Sequence, residues 1–162
     1  MLNHARKVPA SVALYSESQR ARRDRSVWTL VQAILAPLQF AAFLVSLALV
    51  LRYLATGLGY EAATLSILVK TGLLYLIMLT GAIWEKEVFG QYLFAPAFFW
   101  EDVFSMAVLA LHTAYLWCLF DVRLGPDGLM VLALAAYATY AVNAGQFLMK
   151  LRQARLQAAA GT

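Results

Sequence analysis

The sequence predicts an all-α integral membrane bundle of four transmembrane helices, with the N-terminus and the C-terminus both on the cytoplasmic side. Three observations carry that expectation. The first is composition: the 162 residues are 62% hydrophobic and 14% charged, against roughly 45–50% apolar and about 25% charged in soluble domains. A small domain in water buries only about two-thirds of the surface its unfolded chain exposes, so lipid has to cover the remainder. The second is length. Val27 to Leu51, Ala62 to Trp84, Val103 to Phe120 and Leu129 to Met149 are apolar stretches that match the roughly 17–25 residues a helix needs to cross the hydrocarbon core. The third is charge asymmetry. Arg6, Lys7, Arg20, Arg22, Arg23, Arg25, Lys86, Lys150, Arg152 and Arg155 fall on one side of such a bundle, and only Arg52 and Arg123 on the other. Lysine and arginine accumulate on the cytoplasmic side, which places both ends inside.

Taken in order, residues 1–26 form a cytoplasmic basic tail, 27–150 the transmembrane domain and 151–162 a cytoplasmic C-terminal tail. The tail reads as a solvated segment that orients the first helix; the alternative is a basic helix over Ser16 to Arg25 lying on anionic headgroups. The first apolar run starts late and is long, so it reads as a retained helix rather than a cleaved signal. Thr56, Gly57 and Gly59 form one short link, and Gly125, Pro126, Asp127 and Gly128 another, which makes the helices they join antiparallel. Trp28, Trp84 and Trp100 fall at the inner boundary and Trp117 near the outer one, where amphipathic rings prefer to sit. With charge confined to the ends and one link, nothing suggests nucleic acid as a partner. Cys118, the single cysteine, reads as a small hydrophobe.

The middle link, Glu85 to Asp102, differs from the others. It opens on Trp84-Glu85-Lys86-Glu87, continues through Phe89, Tyr92, Phe94, Phe98, Phe99 and Trp100, and closes on Glu101 and Asp102. Acidic residues at a helix start complement the backbone dipole, which accounts for the last two but not for the aromatic stretch before them. Such a stretch dips into the interface as a mouth suited to a flat hydrophobic ligand. Burial disfavours the charged form of a carboxylate, and a carboxylic acid kept protonated can act as a general acid, so Glu85, Glu87, Glu101 and Asp102 are catalytic candidates. His112 lies about 16.5 Å beyond Glu101 along the helix, on a face shared with Ser105, Val108 and Tyr115. An ionisable group at that depth is a functional candidate, with a neutral imidazole bonded across the bundle as the structural alternative. Thr139, Asn143, Gln146 and Lys150, with Gln32 and Gln39, read as polar contacts between helices. Lys70 reads as snorkelling outward along its stem, with a substrate carboxylate as the alternative partner. A metal site built from protein alone is not expected, since zinc or iron needs several converging ligands.

The strings WEKEVFGQYLFAPAFFWEDVFSMAVLALHTAYL, WTLVQAILAPLQF and YATYAVNAGQFLMKLR resemble the 3-vinyl (2-vinyl) bacteriochlorophyllide hydratase family of phototrophic bacteria. The resemblance implies a hydro-lyase of the bacterial inner (intracytoplasmic) membrane that adds water to the C3 vinyl group of chlorophyllide or bacteriochlorophyllide, giving a 1-hydroxyethyl group. It implies no cofactor beyond the magnesium carried by the substrate. Partners would be that pigment, the lipid bilayer, other enzymes of bacteriochlorophyll synthesis and a second copy of the chain. On this reading the four acids divide proton delivery and water activation, and His112 either ligates the substrate magnesium or transfers a proton. Trp84, Phe99, Trp100 and Tyr115 contact the macrocycle, and Lys86 meets its propionate. Two competing readings are a pigment-binding or assembly subunit without enzymatic activity, and a small multidrug-type exporter; the latter is disfavoured because no acid lies mid-helix.

Overall fold

The computed structural model describes residues 13–160; Arg6 and Lys7 of the basic tail lie outside them. Five helices follow in order, α1 (Glu17–Arg25), α2 (Val27–Thr56), α3 (Tyr60–Phe89), α4 (Phe99–Phe120) and α5 (Pro126–Ala160), and there is no strand among the described residues. The last four are long and apolar enough to cross a bilayer.

Each long helix outruns the apolar stretch that announces it. Hydrogen bonding within a helix does not stop where hydropathy falls, and here glycine stops two of them. Gly57 (φ 71°) ends α2, its N–H donating to the Tyr53 carbonyl at 2.7 Å, and Gly90 (φ 89°) ends α3 by donating to Lys86 at 3.0 Å. Glycine takes this left-handed conformation without the steric cost that a Cβ imposes. Gly59 (φ 88°) completes the corner that turns α2 into α3. At the far end, α5 runs unbroken through Arg152 and Arg155.

The helices form two antiparallel hairpins. α2 packs along α3 and α4 along α5, α5 also touches α2, and α3 meets α4 more sparsely. Phe43, Val50, Ile67, Leu74, Val108, Tyr115, Met130 and Tyr137 fill the centre, with Ala63, Ala133 and Ala136 between them. Small residues let helices approach closely in lipid, where packing rather than water exclusion drives association. Cys118 packs half-buried at the edge of this core. Outward-facing Leu30, Ile34, Leu38, Val45, Leu65, Val69, Leu79 and Val131 are exposed, as lipid-facing residues should be.

The segment before α2 is not a solvated tail. Ser16 caps α1 by accepting from the Gln19 N–H while the Gln19 side chain accepts from the Ser16 N–H, a reciprocal arrangement that satisfies two otherwise unpaired donors. Arg22 Nε donates to the Val88 carbonyl at 2.9 Å, and the Leu14 N–H to Gln157 Oε1 at 3.0 Å. The tail reading overlooks that Leu14 and Tyr15 are apolar enough to join a second cluster with Trp84, Val88, Phe89 and Phe98. One end of the bundle therefore gathers α1, the 90–98 link and the end of α5; the other carries the 57–59 and 121–125 corners.

Lys70 also departs from expectation. It is 0% exposed, so it does not snorkel. Its Nζ lies 3.1 Å from His112 Nε2 and 4.0 Å from the centre of the Tyr140 ring. Partners at hand inside the bundle make the inward rotamer preferable to stretching ten residues of helix toward the surface.

Candidate active site at the aromatic end of the bundle

The link between α3 and α4 folds back over two acids. Glu85, on the last turns of α3, is 5% exposed, and Asp102, on the first turn of α4, is 3% exposed. The link supplies backbone donors to both: the Phe94 N–H reaches Asp102 Oδ2 at 2.7 Å and the Ala95 N–H reaches Glu85 Oε2 at 3.3 Å. The two carboxyl groups are near enough to influence one another electrostatically. Two neighbouring buried carboxyl groups disfavour being charged together, so the arrangement matches an acid and a base side by side. Phe94 holds a left-handed backbone (φ 60°) to make its contact, which costs a non-glycine residue about 1–2 kcal/mol. Strain of this kind persists where surrounding contacts over-determine it.

Glu101 sits beside this pair but faces α5. Its Oε1 is 3.7 Å from Lys150 Nζ, and its backbone carbonyl accepts from Asn143 Nδ2 at 2.9 Å. Asn143 also takes the Ser105 hydroxyl at 3.2 Å. Lys150 donates to the Ala97 carbonyl at 2.6 Å. Glu87 stands apart, exposed, and accepts the Ser26 hydroxyl where α1 joins α2.

The aromatic residues divide into two groups. Trp84 turns inward, packs edge-on against Phe89 and Phe98, and donates Nε1 to the Thr29 hydroxyl at 2.9 Å. Tyr15 stacks on Phe89 at 5.7 Å, and desolvation by burial, the largest influence on it, raises the pKa of its phenol. Phe99 and Trp100 turn outward, packed edge to face at 5.5 Å, with Trp100 65% exposed. Trp84 and Trp100 therefore do not form one stacking platform. Lys86 is exposed, bonded to the Gly90 carbonyl at 2.8 Å and lying over the Tyr92 ring.

Two clefts open at this end of the bundle. One, of about 310 Å³, is lined by Ala13, Leu14, Gln19, Phe89, Pro96 and Ala97. The other, of about 100 Å³, is lined by Glu101, Gln146, Met149, Lys150 and Gln153. The first is apolar on most sides and adjoins, through Pro96, the part of the link whose Ala95 N–H bonds Glu85.

His112 and Tyr115 belong to a separate centre. The face anticipated on α4, Glu101, Ser105, Val108, His112 and Tyr115, is the buried one, but it is packed rather than open. His112 Nδ1 is 2.8 Å from the Val108 carbonyl; a carbonyl only accepts, so Nδ1 carries the hydrogen and Nε2 accepts from Lys70. Both ring nitrogens thus have partners within the bundle, three turns from the acids. Nearby, Tyr137 bonds to Ser46, which also meets Ser66 at 2.7 Å. Gln39 is 2% exposed and neither of its amide atoms is paired. Among the described residues no three His, Cys, Asp or Glu side chains converge.

Sequence reasoning passed over Lys150 as a contact between helices, and it did not anticipate the backbone donors of Phe94 and Ala95. The signal available for Lys150 was its spacing from Gln146 and Gln153, which puts the three on one face of α5. Nothing local in the sequence announces the fold-back of the link.

The chain matches the family model for 2-vinyl bacteriochlorophyllide hydratase over residues 15–153. It is 74% identical to the 2-vinyl bacteriochlorophyllide hydratase of Rhodobacter capsulatus over 152 residues, covering 93% of this chain and 88% of that relative. With the protein of the same name from Cereibacter sphaeroides the identity is 74% over 144 residues, covering 88% of this chain and 89% of the relative. No solved structure matches. The chain belongs to the 2-vinyl bacteriochlorophyllide hydratase family.

Proposed function

We propose that this chain is a membrane hydratase acting on the vinyl group of bacteriochlorophyllide, and that Glu85 and Asp102 are its acid and base. The observation that carries the site assignment is that both carboxyl groups are nearly fully buried and adjacent, each from a different hairpin. The membership above carries the reaction class.

Hydration of a vinyl group asks for one proton donor and one proton acceptor. The protonated member of the pair gives its proton to the terminal vinyl carbon, which takes it with the π electrons. The cation left on the adjacent carbon is conjugated to the macrocycle. Water attacks that carbon through oxygen, and the second carboxylate takes the proton released. The product is a 1-hydroxyethyl group, and the pair ends with the single proton it began with. General acid–base help of this kind contributes about 10²–10⁴-fold. No redox cofactor enters, and magnesium arrives with the substrate. Phe99 and Trp100 supply an apolar wall from the lipid side, and the cleft by Phe89 and Pro96 receives part of the ring. Glu101 tunes the charge beside Asp102, while Glu87 serves the α1–α2 junction. His112 holds the bundle through Lys70.

The reading also places α1, Lys86, Lys150, Arg152 and Arg155 on the cytoplasmic face of the bacterial inner membrane, by the same charge asymmetry that orients other multi-pass chains. Purified protein in detergent, given the vinyl pigment, should yield the hydroxyethyl product, with Glu85→Gln and Asp102→Asn slowed about 100-fold or more. Parental rates in both variants would sink the site assignment; pigment bound without product would favour a carrier role instead.

A further inference from the structure

The proposed substrate carries a second reactive-looking feature besides its vinyl group: as an unesterified pigment it has an ionised carboxylate side chain, and the mechanism above leaves that charge without a partner. We propose that the cleft between α4 and α5, lined by Glu101, Gln146, Met149, Lys150 and Gln153, is the subsite for this carboxylate, and that Lys150, not hydrogen-bonded to Glu101, makes the protein prefer the free acid over its ester. This rests on the hydratase reading for the identity of the ligand.

The geometry supports the assignment in three ways. Lys150 Nζ has three N–H donors; one is spent on the Ala97 carbonyl at 2.6 Å. Its nearest carboxylate, Glu101 Oε1, is 3.7 Å away, beyond the range of a charge-assisted hydrogen bond at roughly 2.7–2.9 Å. Donors therefore remain for an incoming anion, and the side chain is 27% exposed to receive one. Gln146 and Gln153, one turn before and one after on the same face, line the same cleft of about 100 Å³, and their amide N–H groups can complete the cradle. The apolar wall, Met149, suits the alkyl arm that bears the charge.

Position argues in the same direction. Lys150 touches Ala97, and Ala97 also lines the larger apolar cleft beside Phe89 and Pro96. A flat ring lying by Phe89 and Pro96 would have one edge near the acid pair and could reach Lys150 with a flexible arm from another edge. The cleft lies at the end of the bundle that carries α1 and the basic end of α5, so an anion there stays near the headgroup region and avoids the cost of charge in hydrocarbon. Lys86 is a poorer host: it lies on the exposed side of α3, tied to Gly90 and covering Tyr92.

The test uses the full-length protein in detergent, with the free-acid vinyl pigment and its methyl ester as probes. Equilibrium binding is read by pigment fluorescence, and turnover by product analysis. The intact protein should bind the free acid about 10- to 100-fold more tightly than the ester, the range a charge-assisted hydrogen bond supplies. Lys150→Met should bind both at the ester's affinity, whereas Lys150→Arg should keep the discrimination, which guards against a variant that merely misfolds. The effect should fall on KM more than on kcat. Equal binding of acid and ester by the intact protein, discrimination that survives in Lys150→Met, or discrimination lost in Lys86→Met and kept in Lys150→Met would each overturn the proposal. Binding discrimination without any product would uphold the subsite and defeat the hydratase reading, so the two failures are separable.

Discussion

At the scale of single residues, Asp102 has two separable duties. It accepts the Phe94 N–H that holds the link in place, and it forms half of the proposed acid–base pair. Asparagine keeps an oxygen acceptor for the backbone but cannot exchange a proton. Asp102→Asn should therefore leave amide hydrogen exchange across residues 91–98 unchanged while turnover collapses, and Asp102→Ala should speed that exchange as well. If Asn and Ala variants behave alike in both measurements, the two duties are not distinct. Gln39 offers the opposite case, a residue whose replacement should help. Its amide is buried and unpaired, and an unsatisfied buried polar group costs about 1–3 kcal/mol. Gln39→Leu should raise the midpoint of unfolding in mixed detergent, and a lowered midpoint would show that the amide meets a partner after all.

At the scale of elements, the seam between α3 and α4 is where polar contacts matter most. Tyr75 meets Thr113 at 2.7 Å and Lys70 meets His112 at 3.1 Å, and the Glu85 and Asp102 carboxyl groups influence one another electrostatically, along a boundary that the apolar core fills only thinly. Lys70→Met removes the donor to His112 and leaves Nε2 buried without one, at a cost of about 1–3 kcal/mol. The double variant Lys70→Met/His112→Leu should cost less than the sum of the two singles, with a coupling of about 0.5–3 kcal/mol; strict additivity in detergent unfolding would deny the interaction. The sequence made the helices legible because lipid imposes a long apolar run on every span, and Gly57, Gly59 and Gly90 mark where two of them end. It made the acids legible through their place at helix ends. It could not reveal that Lys70 turns toward His112, because that depends on which helix faces which, and a sequence separation of 42 residues carries no local trace of the pairing. The same holds for Tyr15 and Leu14, whose apolar character has value only beside Phe89 and Phe98.

At the scale of the whole molecule, orientation is the property that decides where the site meets its substrate. The end holding α1 and Lys150 is proposed to face the cytoplasm. In a Cys118→Ala background, a cysteine introduced for Ser18 and another for Leu58, both exposed, should differ in reach. A membrane-impermeant maleimide added outside intact cells should label position 58 and spare position 18, and the reverse pattern would invert the topology.

The division into two hairpins bears on how such a protein comes into being. Glu85 belongs to the first hairpin, Asp102 to the second, and the lysine that faces Glu101 comes near the end of the chain. During synthesis the first hairpin can enter the bilayer while the second is still on the ribosome, and at that stage a lone carboxyl group has no proton-sharing neighbour. The proposed acid–base pair comes into existence only when the second hairpin docks, so on that assignment a truncated or stalled product would be inert by construction rather than by degradation.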